Sequence, residues 1–112
     1  MPIEMKKHLF EIRQAIKAIE EFTNGLDYAG FLEKGVVQAA VERKFEIIGE
    51  ALIRIRRVDP SVLEQISEHQ RIIGFRNILI HGYDIIDSEI FWDAIINHLA
   101  KLKAEIESML EA

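Results

Sequence analysis

Three long stretches of the chain repeat apolar residues at intervals of three and four, and this repeat fixes the fold class. In the first, Met5, Leu9, Ile12, Ile16 and Ile19 form one apolar stripe with charge opposite, and Asn24-Gly25 supplies a stop, so a helix is predicted over about Ile3 to Thr23. In the second, from about Val36 to Arg57, the stripe of Val37, Val41, Phe45, Ile48, Leu52 and Ile55 is widened by Ala40, Ile47, Ala51 and Val58. A face that wide touches two surfaces, either because the helix is central to its own bundle or because it also lines a dimer interface. In the last stretch Trp92, Ile95, Leu99, Leu102, Ile106 and Met109 carry one helix, capped by Asp87 or Ser88, almost to the C-terminus. Between these lie a mixed linker, "LDYAGFLEKG", with a short helical turn, and a short helix "PSVLEQI" opened by Asp59-Pro60. Ser67-Glu68-His69-Gln70 resembles a capping box and opens a further helix that ends at Gly82. No period-two alternation marks a strand. The expected architecture is all-α: an antiparallel four-helix-type bundle with one or two short extra helices.

With 112 residues the chain is expected to form a single domain, 1–112, burying roughly two-thirds of its unfolded surface. It has no cysteine, which excludes disulfides, thiol catalysis and cysteine-ligated metal centres. The N-terminal "MPIEMKKHLFEIRQ" takes on charge at once, without the apolar run of a signal peptide, and no charge-free span of membrane-crossing length follows. A cytoplasmic protein without membrane contact is the expectation. A net charge of −5 argues against a surface that traps nucleic acid everywhere, while leaving room for a local basic site.

The chemistry concentrates in "IIGFRNILIHGYD", where an arginine, an asparagine, a histidine and a tyrosine interrupt an apolar helix. No metal is expected, because the residues three before His8, His69, His81 and His98 are Met5, Ile66, Ile78 and Ile95, not the glutamates of a metal-binding bundle. No phosphate-binding glycine loop or serine elbow is present, and no cofactor is implied. At about 100° per residue, Arg76 and His81 stand about 140° apart, so a single helix does not aim both at one atom. A two-fold pair of helices would bring the arginine of one chain to the histidine of the other. Taken singly, a histidine at a helix end is a dipole partner and an arginine is a surface charge. Together with Asn77 and Tyr83 they suit phosphodiester chemistry: bidentate phosphate contact, proton transfer near neutral pH, and a hydrogen-bonding or stacking ring.

"RNILIHGY" fits the pattern R-N-x-x-x-H-x-Y and resembles the HEPN superfamily, most closely its HepT-like (DUF86-type) branch. "ERKFEIIGEAL" resembles the second long helix of that family, and the similarity runs from about Ala39 to the last helix. One departure is that Glu68-His69 stand where members often carry Pro-Trp. The resemblance implies a homodimeric, metal-independent ribonuclease acting as the toxin of a toxin–antitoxin pair, with RNA as substrate. Carried over, Arg76 and His81 are catalytic, Asn77 is a supporting polar residue and Tyr83 is the residue modified with AMP. The implied partner is a minimal nucleotidyltransferase (MNT-type) antitoxin. The competing expectation is a non-catalytic HEPN subunit that binds and regulates a nucleotidyltransferase. Arg54 and Arg57, in the basic end of the second helix, border an RNA groove or else supply favourable charge at a helix C-terminus, helped by a Glu50–Arg54 pair. Glu50 either orients Arg76 or pairs at the surface.

Overall fold

The computed structural model describes residues 1–81 and 87–111, and within them every regular element is a helix. Helix α1 spans Ile3–Thr23, α2 Tyr28–Glu33, α3 Gly35–Val58, α4 Pro60–Glu64, α5 His69–His81, α6 Ser88–Asn97 and α7 Leu99–Glu111. Gly82 and Tyr83, expected as the helix end and the modified residue, lie outside the described residues.

Helix α3 is the central element, packed by α1 on one side and α5 on the other, with α7 closing on α1. That explains its wide apolar face: Val41, Phe45, Ile48, Ala51, Leu52 and Ile55 are all fully buried. The predicted stripe of α1 is likewise sealed, from Met5 through Ile19. Residue Gln38 ties three elements together. Its amide donates to the carbonyls of Phe31 (2.8 Å) and Leu32 (3.0 Å), closing α2, and its Oε1 accepts from Ser88 Oγ (2.9 Å) at the start of α6.

The caps divide into those the sequence predicts and those it does not. Asp87 caps α6 by accepting from Glu89 N (3.0 Å), which leaves Ser88 for Gln38. The expected capping box at Ser67 is not formed. Both the backbone N–H (3.3 Å) and the hydroxyl (2.9 Å) of Ser67 donate to the Glu105 carboxylate on α7, a charged acceptor that outcompetes a local turn. The single C-terminal helix is also corrected. His98 leaves the helical region (φ −124°), dividing the stretch into α6 and α7. Before this break the deepest residues are Phe91 and Ala94, while Trp92 and Ile95, one position later, are only half-buried. A stripe projected backwards across the bend is therefore one residue out of phase.

At α4 the Asp59 carboxylate accepts from Ser61 Oγ (2.6 Å) and Ser61 N (3.0 Å), and these bonds hold it below the usual carboxylate range. A depressed acid contributes stability that is full above its unfolded value and is lost as pH falls through the folded one. Urea unfolding of the native chain and of Asp59→Ala should therefore differ by a constant gap near neutral pH that closes on acidification. A gap that widens in acid contradicts this assignment.

Candidate active site

Helix α5 carries Arg76, Asn77 and His81, and its position is set by a close approach to α3. Phe75 (α5), Phe45 (α3) and Phe91 (α6) form an aromatic triangle with ring centroids 5.5, 5.5 and 5.0 Å apart. Such pairs add about 0.5–1.5 kcal/mol each beyond the area they bury. One turn from Phe45, Gly49 faces α5 with no side chain. A Cβ there would lie 2.5 Å from Arg76 Cβ and 3.2 Å from the Ile72 carbonyl oxygen. Glycine in mid-helix costs roughly 1 kcal/mol relative to alanine, so its place here is explained by contact. The sequence reading gave Gly49 no role, although a glycine inside an otherwise strong helix was the available signal.

Pressed against Gly49, Arg76 lines a cleft of about 220 Å³ together with Glu50, Ile53, Arg54 and Arg57. Its Nε is buried and has no hydrogen-bond partner among the described residues. Among the described residues the outer Nη1 donates only to Asn77 Oδ1, at a long 3.4 Å. No ion pair engages Arg76 among the described residues, and a buried donor left unpaired costs about 1–3 kcal/mol. Such a group is held ready for a ligand or reflects a local functional demand. The expected Glu50–Arg54 pair is not formed. Arg54 Nη1 instead lies 3.7 Å from Glu11 Oε2 on α1, a neighbour that spacing along α3 cannot reveal.

His81, the last residue of α5, is exposed and does not line the cleft of Arg76. The two are five residues apart, about 7.5 Å along the axis and about 140° around it. Asn77 is exposed and borders a second cleft with Arg56, His69 and Gln70. One chain thus brings Arg76 to Asn77, Arg54, Arg57 and Glu50, but not to His81. Beside them Ile78 (37%) and Ile80 (43%) are exposed, interspersed with the exposed Arg71, Asn77 and His81. The unusual Glu68-His69 pair has a structural use at the start of this helix. Glu68 Oε2 accepts from Arg71 Nε (3.1 Å) and lies 3.4 Å from His98 Nδ1, linking α5 to the α6–α7 break. Among the described residues no group of three or more His, Asp or Glu gathers as a metal set, and no helix is long and apolar enough to cross a membrane.

Residues 12–109 of this all-helical domain match a family model described as "Ribonuclease HepT-like". The chain belongs to the HepT-like family. It is 33% identical over 106 residues to "Putative RNase MJ1380" of Methanocaldococcus jannaschii, covering 93% of this chain and 94% of that protein. It is 32% identical over 108 residues to "Probable ribonuclease HepT" of Thermococcus cleftensis, covering 93% and 94%. A two-part M. jannaschii protein, "Gamma-glutamylcyclotransferase and putative RNase MJ0434", is 31% identical over 96% of this chain and 48% of its own length. No solved structure matches.

The Gly49 contact has a measurable consequence. Gly49→Ala gains about 1 kcal/mol of helix propensity but must push Arg76 Cβ away, and overpacking costs about 1–3 kcal/mol. Thermal unfolding should show a net loss of stability. A net gain would mean that α3 and α5 are not in contact there.

Proposed function

We propose that the chain is the toxin of a HEPN–MNT toxin–antitoxin pair: a cytoplasmic, metal-independent endoribonuclease whose site is shared across a two-fold homodimer. One observation carries this reading. The Nε of Arg76 is buried and unpaired beside a cleft, and Arg76 has no ion pair among the described residues, while His81, on the same helix, does not line that cleft. A second copy of α5, related by a two-fold axis, joins the two, and the exposed Ile78 and Ile80 supply apolar surface for that contact.

The residues account for every requirement of RNA transesterification. A neutral His81 takes the proton of the ribose 2′-hydroxyl as its oxygen bonds to phosphorus. The protonated His81 of the second copy donates to the 5′-oxygen as the P–O5′ bond breaks. Arg76 offers a planar fork to the two negative charges of the pentavalent phosphorus, and Asn77 steadies the guanidinium. The products carry a 2′,3′-cyclic phosphate and a free 5′-hydroxyl. Charge and protons are both handled by side chains, so the chemistry has no step that calls for a metal.

Tyr83 stands two residues past His81. Transfer of AMP from ATP to its phenolic oxygen by an MNT-type antitoxin, with pyrophosphate leaving, sets an anion where substrate phosphate belongs. Repulsion and bulk then silence the site together.

Purified wild-type chain should cut single-stranded RNA in the presence of a chelator, leaving cyclic phosphate ends. His81→Ala should lower the rate by about 10²–10⁴ and Arg76→Ala by about 10²–10³. RNA left intact by the wild type, or cut equally by all three proteins, contradicts the proposal. A wild-type dimer that binds RNA without cutting it favours the non-catalytic regulatory subunit.

A further inference from the structure

The cleft beside Arg76 holds more positive charge than the reaction uses. Among the described residues three guanidinium groups, those of Arg54, Arg57 and Arg76, line it with one carboxylate, Glu50, and the apolar Ile53. Arg54 and Arg57 are three residues apart on α3 and therefore point from the same face one turn apart. Arg54 is shared with Glu11 at 3.7 Å, a half-exposed contact that a stronger anion can displace. Arg57 is in none of the ion pairs of the described residues. Charge at a helix end does not explain this grouping by itself. Arg56 satisfies the same preference from the same turn, yet it borders the opposite cleft with Asn77.

We infer that Arg54 and Arg57 form a subsite for the phosphodiester next to the one being cleaved, with Arg76 as the wall common to both. The inference rests on the ribonuclease reading and deepens it: the substrate is a single strand at least one phosphate longer than the scissile step. Among the described residues, three guanidinium charges face Glu50 in the cleft and Glu11 on Arg54, a net excess of positive charge for an incoming phosphate, and arginine forks suit its oxygens. Glu50 offsets part of the mutual repulsion of the arginines while the cleft is empty. The subsite thereby contributes binding to longer RNA without taking part in bond breaking.

The test compares two single substitutions that remove one charge from the same turn of α3, Arg57→Gln and Arg56→Gln, in the full chain. The probes are 2′-O-methyl oligonucleotides, which bind but cannot be cut: a dinucleotide with only the scissile position, and a longer strand. Fluorescence anisotropy should show Arg57→Gln weakening the longer strand about tenfold while leaving the dinucleotide unchanged. Its salt slope should fall by about 0.7, the value for one phosphate contact on a single strand. Arg56→Gln should leave both probes as in the wild type. Equal losses for the two substitutions would reduce the cleft to general electrostatics and overturn the subsite. A loss by Arg57→Gln on the dinucleotide would overturn it too, by placing Arg57 at the scissile phosphate. Cleavage of unmodified RNA by the wild type, measured alongside, judges the nuclease reading separately, since binding of the uncleavable probes does not depend on it.

Discussion

The contact between α3 and α5 at Gly49 is the constraint on which the site depends. Because no Cβ stands at Gly49, the backbone of α5 closes onto α3 and the stem of Arg76 is pinned between them. The Phe45–Phe75–Phe91 triangle holds the same two helices together a turn away and brings in α6. Packing this tight fixes Arg76 to a single place along α3, the one where Glu50, Arg54 and Arg57 already project. The unpaired, buried Nε is the energetic cost of holding it there.

Much of the fold was legible because local patterns and tertiary contacts agree. The stripes of α1 and α3, the Asp59-Pro60 start of α4 and the Asp87 cap of α6 each depend on residues within a turn or two of one another. What escaped the sequence depends on distant partners. Ser67 bonds to Glu105, 38 positions away, and Arg54 meets Glu11 on another helix. The bend at His98 contains no proline or glycine, and its histidine ring instead sits between Glu68 (3.4 Å) and Asp93 (3.3 Å). Around the candidate site, the divergence of Arg76 and His81 on one helix followed from their five-residue spacing. The cleft and the part played by Gly49 did not, since both are made by the crossing of two helices.

Family membership and geometry bear on different parts of the functional reading. Belonging to the HepT-like family supplies the ribonuclease class. Helix α5 buries Ile72 and Phe75 and leaves Ile78 and Ile80 exposed, apolar surface that the proposed two-chain site would cover.

The most direct measurement is the activity of a heterodimer pairing one wild-type chain with one Arg76→Ala/His81→Ala chain, isolated by two different tags. If each chain held a complete site, the heterodimer would retain half the cleavage rate of the wild-type dimer. A site that takes a histidine from each copy predicts a rate lower by about 10² or more, since either the base or the acid is then missing from the only groove. Half activity in the heterodimer would contradict a shared site.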